Sequence, residues 1–139
     1  MCINLWAFLK IRKDLSKWSY LMPQFNQTSP LDSGKYFETV ATDEVKEDEM
    51  TAVRVGNRKV LLTRHKGALY AVDTQCPHAA ADLSKGSLRT WQLCCHEHDY
   101  CFDVRNGRIV WPEDEVYRLK RYEVKEEGGQ VLVRLSLIK

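Results

Sequence analysis

Two short segments of the chain carry residues that could bind a metal. The first holds Cys76 and His78 with one residue between them, and the second holds Cys95 and His98 with two residues between them. Each segment offers one thiolate and one imidazole at short range, so each is predicted to form a tight loop. Such a loop would give a metal centre one sulfur ligand and one nitrogen ligand.

Two kinds of metal centre fit these four residues. A single zinc ion could take all four, but the usual zinc motifs pair two cysteines on one turn and two histidines on a helix. Here each loop mixes the two ligand types, and no helix is predicted after either loop. The mixed pairing favours a binuclear iron centre, in which one iron takes Cys76 and Cys95 and the other takes His78 and His98.

The composition of the chain limits what can surround this centre. Its 139 residues are 44% hydrophobic, which is enough for one compact domain. The 21 basic and 19 acidic residues give a net charge of +2, which argues against nucleic-acid binding. No apolar run reaches the roughly 18–20 residues of a membrane helix, so no membrane span is predicted. The five cysteines are expected to be reduced or metal-bound and not to form a disulfide framework.

From residue 35 onward the chain is predicted to consist of short β-strands. Glycine-containing turns at 56–57, 105–107 and 128–129 indicate three β-hairpins. Closely spaced strands and turns are typical of an antiparallel β-sandwich or barrel, so the predicted fold class is all-β. The two metal-binding loops interrupt this pattern and are expected to form a small cluster-binding subdomain over about 74–112. The predicted strands are 36–41, 51–55, 59–64, 68–72, 100–104, 108–110, 116–124 and 130–138.

Residues 1–34 are predicted to be an N-terminal extension and linker ahead of a domain that spans 35–139. Apolar residues between positions 5 and 18 recur at intervals of three and four, beside four basic residues, which predicts an amphipathic helix. Such a helix could touch a membrane surface or a partner, act as an organelle-targeting peptide, or be an appendage without a role. We favour the appendage. Residues 22–34 contain two prolines and a glycine, which is typical of a linker.

The two cysteine–histidine pairs and their neighbours resemble a known family over about residues 36–138. In the Rieske [2Fe–2S] domain family, two histidines replace two cysteines on one iron. The resemblance implies that Cys76, His78, Cys95 and His98 bind a [2Fe–2S] cluster. It rests also on Ala81, Leu83 and Gly86 after the first pair, on Tyr100, Phe102 and Asp103 after the second, and on Pro112, where the family has a proline-bearing loop over the cluster.

The resemblance also implies how such a centre behaves. With neutral histidines the oxidised centre has no net charge, because two ferric ions are balanced by two sulfides and two thiolates. It is therefore easier to reduce than a four-cysteine cluster. The histidine end is expected to face solvent and to pass the electron, and a Tyr100 hydroxyl near the cluster could hydrogen-bond to sulfur. Packing in the hydrophobic core would explain a tyrosine at position 100 equally well.

The chain departs from the family pattern inside both loops. Ala81 and Glu97 stand where the Rieske subunits of cytochrome complexes carry a further cysteine pair, so the disulfide between their two loops is absent. This favours the ferredoxin-like or oxygenase-like branch of the family. Ala80 and Asp99 stand where the family usually has glycine, which adopts a positive φ freely, so the loops are expected to be shaped differently.

The remaining cysteines and His65 are not predicted to be ligands. Cys94 lies beside Cys95 and offers an alternative register, which the family spacing from His98 onward rejects. Cys94 and Cys101 are expected to be buried small residues. His65 lies before a predicted turn and is expected at the surface.

The predicted function is that of a soluble, cytoplasmic Rieske-type ferredoxin. It would carry one electron from a flavin reductase to a terminal oxygenase or a similar enzyme. Only His65 and His96 remain beyond the ligands, which excludes an oxygenase iron site of two histidines and a carboxylate in this chain. No nucleophile or acid–base pair is visible, so no catalytic residue is predicted.

Two other roles are weighed against the electron carrier. The alternative is a small subunit of a multi-component reductase, such as a nitrite-reductase-like complex. Residues 43–49 or the N-terminal segment would then dock the partner, although an acidic run of this kind is more often a solvated face. A redox or iron–sulfur sensor is a third possibility that nothing in the sequence favours.

Overall fold

The computed structural model describes residues 34–138, which form two antiparallel β-sheets. The predicted all-β fold class is confirmed. Residues 34–138 contain no α-helix, and therefore none that could cross a membrane, but they have 3-10 turns at Thr42–Glu44 and Leu83–Lys85. The strands are β1 Tyr36–Ala41, β2 Met50–Val55, β3 Arg58–His65, β4 Ala68–Asp73, β5 Ser87–Arg89, β6 Gln92–Cys94, β7 Cys101–Asp103, β8 Ile109–Trp111, β9 Arg121–Glu127 and β10 Gln130–Ile138.

The larger sheet has six strands in the order β1-β10-β9-β4-β3-β2. The hairpin predicted at 56–57 joins β2 to β3, and the one at 128–129 joins β9 to β10. Every second residue of β10 from Val131 to Leu135 is buried, as the two-residue period of a strand requires. These side chains pack with Val60, Leu62 and Tyr122 into one hydrophobic core.

The smaller sheet has four strands in the order β5-β6-β7-β8, each three residues long. The sequence analysis did not predict β5 and β6. Gly86 precedes β5, and a Cβ there would collide with the carbonyl oxygen of Cys94, so glycine lets the two strands approach. A second hydrophobic core joins this sheet to the larger one. It includes Leu61, Val72, Leu93, Phe102 and both Cys76 and Cys95.

One predicted strand starts later than expected. Residues 116–124 were predicted to be extended, but β9 begins at Arg121. Residues before it cross the hairpin between β7 and β8 instead, where the Leu119 amide donates to the Gly107 carbonyl at 2.9 Å. Val116 is 92% exposed, so the apolar alternation there reflects no strand face. The predicted N-terminal helix and the linker up to residue 33 lie outside the described residues.

Candidate metal centre

The first ligand loop runs from Cys76 to Ala81 and follows β4. Its backbone closes on itself: the Cys76 amide donates to the Ala81 carbonyl at 2.9 Å, and the Ala80 amide donates to the Cys76 carbonyl at 2.8 Å. Ala80 has a φ of 57°, in the left-handed region that favours glycine. The Cys76 side chain lies in the second core with 2% exposure, and His78 is half-buried.

The second ligand loop runs from Cys95 to Tyr100 and repeats this backbone frame. The Cys95 amide donates to the Tyr100 carbonyl at 2.8 Å, and the Asp99 amide donates to the Cys95 carbonyl at 3.2 Å. Asp99 has a φ of 56°, almost that of Ala80. Both loops therefore adopt the positive φ without glycine. Ala80 and Asp99, the two departures from the family pattern, add a side chain at these positions and leave the backbone in the left-handed region.

The four predicted ligand residues come together where the two loops meet. The rings of His78 and His98 are 5.0 Å apart between centroids and lie nearly perpendicular to each other. The thiols of Cys76 and Cys95 interact directly. Burial raises the pKa of Cys76, the charge of Cys95 raises it further, and the His78 amide opposes both by hydrogen bonding. A nearby cation would favour the thiolate form of Cys76 that a metal centre requires.

The donor atoms present fit a metal cluster. Nδ1 of His78 is buried and has no hydrogen-bond partner. Leaving a buried polar atom unpaired costs about 1–3 kcal/mol, which a bond to a metal would remove. An unpaired imidazole nitrogen and two free thiols are donor types that a mixed cysteine–histidine iron centre uses.

Aromatic side chains fix the orientation of His78. Its ring stacks on Tyr100 with centroids 4.0 Å apart, and Tyr117 lies edge-on at 5.4 Å. The Tyr100 hydroxyl donates to a Glu115 carboxylate oxygen at 3.3 Å, so in this structure its partner belongs to the segment after β8. Burial and the charge of Glu115 raise the pKa of Tyr100. The Tyr100 ring therefore positions the histidine.

A disulfide joins Cys94 and Cys101 at the neck of the second loop. The two residues face each other directly across β6 and β7. The expectation that the cysteines form no disulfide is therefore wrong for this pair, and both residues are half-buried. The spacing gave no usable signal, because β6 was not predicted and the pairing depends on it. The bond leaves Cys76 and Cys95 as the free cysteines of the described residues, so Cys94 cannot compete with Cys95 for a metal.

A buried hydrogen-bond network holds the base of the first loop. The Tyr122 hydroxyl donates to Asp73 at 3.0 Å, and Asp73 also accepts from the Gln75 amide at 3.1 Å, just before Cys76. Burial and the charge of Asp73 raise the pKa of Tyr122 to about 12. On the far side of the loop, Asp82 accepts from both the amide and the hydroxyl of Ser84, at 3.0 Å and 2.6 Å.

The two histidines outside the predicted ligand set have different surroundings. His65 was expected at the surface, but it is 8% exposed and its Nδ1 lies 2.7 Å from an Asp48 carboxylate oxygen. Its ring contacts the edge of Trp91, which explains its burial at the end of β3. His96 is exposed within the second loop, 3.9 Å from a Glu97 carboxylate oxygen.

The chain is similar in sequence to proteins that carry this arrangement. The family model of the Rieske [2Fe–2S] domain matches residues 35–123. The ferredoxin component of the naphthalene 1,2-dioxygenase system from Pseudomonas aeruginosa is 34% identical over 102 residues, which cover 73% of this chain and 97% of that protein.

Solved structures resemble the fold as well. The ferredoxin of carbazole 1,9a-dioxygenase from Nocardioides aromaticivorans IC177 is 28% identical, with a TM-score of 0.65, over 71% of this chain and 96% of that one. A chain in the complex of reduced oxygenase and oxidised ferredoxin in carbazole 1,9a-dioxygenase is 25% identical. Its TM-score is 0.68, over 77% of this chain and 99% of that one.

Proposed function

Because the chain belongs to the Rieske [2Fe–2S] domain family, we propose that it carries single electrons between a reductase and a terminal enzyme. The observation that carries this proposal is the meeting of two cysteine thiols and two histidine rings at the junction of two loops. The proposed domain spans 35–139. As the family implies, the cofactor is a [2Fe–2S] cluster, and when bound it supplies reversible uptake of one electron.

The proposed ligands are Cys76 and Cys95 on one iron and His78 and His98 on the other. The assignment of the cysteines is supported by their burial and by the disulfide that removes Cys94 from competition. The unpaired Nδ1 of His78 supports its role as a nitrogen donor. The buried thiols keep water away from the sulfur side, whereas His98 is exposed. Electrons would therefore enter and leave at the histidine side.

The proposed partners are a flavin reductase as donor and a terminal oxygenase as acceptor. Two findings support this choice: the similarity to a ferredoxin component of a dioxygenase system, and the likeness to a chain in an oxygenase–ferredoxin complex. The proposed location is the cytoplasm. It is tested by fractionating cells that express the full chain, where recovery with membranes would contradict it.

The function is tested on full-length protein purified without air. We expect two irons and two acid-labile sulfides per chain, and a rhombic EPR signal after dithionite reduction, with an average g value below that of four-cysteine ferredoxins. Reoxidation should then consume one ferricyanide per chain, because the reduced protein gives up one electron. One zinc with no sulfide would overturn the electron-transfer function and leave a zinc-stabilised binding module.

A further inference from the structure

The second loop around His98 and the segment after β8 carry acidic residues and no lysine or arginine up to residue 117. Glu97 and Asp99 are exposed on the second loop, and Glu113 and Asp114 are exposed on the segment after β8. No lysine or arginine occurs in 95–101 or 112–117, although the whole chain has a net charge of +2. The two segments are neighbours, since β7 pairs with β8 and the Tyr100 hydroxyl bonds to Glu115.

Large apolar side chains lie exposed within the same region. Trp111 is 58% exposed and Val116 is 92% exposed, at the two ends of the acidic segment. Leu137 and Ile138 are the other large exposed hydrophobic residues between 34 and 138, and they lie at the end of β10 in the larger sheet. An exposed tryptophan next to charged residues is typical of a protein–protein interface.

Three acidic groups at this end have no lysine or arginine partner, whereas several acids elsewhere in the fold do. Glu123 pairs with Arg134, Glu126 with Arg64, and Asp103 with Arg105. Asp99, Glu113 and Asp114 form no ion pair with lysine or arginine among residues 34–138. Unpaired like charges repel one another and do not stabilise the fold, but they attract an oppositely charged surface.

We propose that residues 97–99 and 111–116 form an acidic docking face for a redox partner whose own surface presents lysine and arginine around an apolar centre. This inference rests on the proposed function, because His98 opens onto the same face. The negative charge attracts and orients the partner, and Trp111 supplies contact area once the surfaces meet. Lys120 lines the cavity beside the first loop together with His78, so the proposed acidic face includes only the second loop and the segment after β8.

The test uses cytochrome c, a basic haem protein, as a defined electron acceptor for the full-length reduced protein. We expect its reduction rate to fall steeply as salt is added, because salt screens the attraction between exposed charges. The variant Glu113→Gln/Asp114→Asn should lower the rate at low salt by about tenfold. The matched control Glu38→Gln/Asp43→Asn removes two exposed acids at the first strand and its turn and should leave the rate unchanged.

Two further readouts separate this proposal from the electron-transfer function. Ferricyanide, a small anion, should oxidise the docking variant at least as fast as the wild type. Carbodiimide coupling of carboxylates to the lysines of cytochrome c needs no electron transfer. Mass spectrometry should find the links at Glu97, Glu113 or Asp114 and not at Glu38.

The outcomes are distinct. Equal loss of rate in the docking and control variants, or links spread over the whole surface, would overturn the docking face. Failure to reduce ferricyanide would overturn the electron carrier, while the coupling pattern would still decide the docking face. Trp111→Ala should weaken coupling most at high salt, where the charges are screened and the apolar contact remains.

Discussion

The two ligand loops share a backbone and differ in almost everything else. In each loop, the cysteine amide donates a hydrogen bond to the carbonyl of the residue five positions later. The amide of the residue four positions after the cysteine donates to the cysteine carbonyl, and that residue has a positive φ. The first loop, 76–81, has no charged residue, whereas the second, 95–100, carries Glu97 and Asp99. A common backbone geometry is thus combined with one uncharged and one acidic loop.

The necks of the two loops are closed by different chemistry. The first is held by carboxylates: Asp73 below it bonds to Tyr122, and Asp82 beyond it bonds to Ser84. The second is closed by the covalent bond between Cys94 and Cys101. Protonation of Asp82, whose pKa the Ser84 hydrogen bonds lower, should therefore loosen the first loop, and thiol reductants should loosen the second.

The largest difference is expected between two serine variants of the second loop: one replaces Cys95, and the other replaces the disulfide-bonded pair Cys94 and Cys101. We expect Cys95→Ser to abolish iron binding, because it removes a proposed ligand. The double variant Cys94→Ser/Cys101→Ser should keep about the wild-type iron content. Iron and sulfide assays on both proteins decide the matter, and the reverse pattern would mean that Cys94 is the ligand.

Breaking the Cys94–Cys101 disulfide, which leaves the proposed ligands in place, should have the next largest effect, in this case on the free energy of unfolding. A disulfide that closes a loop of about eight residues stabilises a chain by about 2.5 kcal/mol in the chain-entropy model. Urea unfolding of the full chain under anaerobic conditions should show this loss when a thiol reductant is added. The Cys94→Ser/Cys101→Ser variant should be insensitive to the reductant, and a wild type equally insensitive would show that the bond contributes nothing.

The Tyr122–Asp73 hydrogen bond at the base of the first loop should stabilise the fold less at high pH. The pKa of Tyr122, about 12, lies above the ordinary value near 10, because its charged form is buried beside Asp73. Its contribution is therefore complete below pH 10 and declines as the pH rises, by about 2 kcal/mol at pH 12. Urea unfolding between pH 9 and pH 12 should show a shallower decline for Tyr122→Phe, and an unchanged slope would contradict this origin.

The smallest expected effect concerns the far side of the first loop. The Ser84 side chain and amide lower the pKa of Asp82, so its contribution is present above about pH 4 and is lost as the pH falls through the lowered value. Asp82→Ala should cost about 1 kcal/mol at neutral pH, typical of a lost helix cap, and Asp82→Asn less. Thermal unfolding measures both, and Glu97→Gln in the second loop is the matched variant that should leave stability unchanged.

Strand patterns and ligand spacing were predictable because they depend on local sequence. Strands β1 and β10 match the prediction, as do the hairpin turns at 56–57 and 128–129, since glycine and asparagine mark the turns between alternating residues. The cysteine and histidine pairs were visible because each lies within one short loop.

The missed features depend on contacts between distant segments. Strands β5 and β6 are too short for an alternating pattern, and Gly86 matters only through its approach to Cys94. Without β6, nothing in the sequence puts Cys94 opposite Cys101. His65 is buried because Asp48 and Trp91 fold against it, and neither lies next to it in the sequence.

The disulfide at the second neck also bears on how the protein matures. Four cysteines lie in or beside the two loops, and the bond joins the two that are not proposed ligands. Cys76 and Cys95 are close enough to interact, so a small-molecule disulfide that reaches the chain before iron does can join them by thiol–disulfide exchange. The small-molecule disulfide is reduced to two thiols in this step, and the new bond blocks the site. A newly made chain that binds iron first can therefore become an electron carrier, whereas one that is oxidised first has lost the two thiols that would bind the metal.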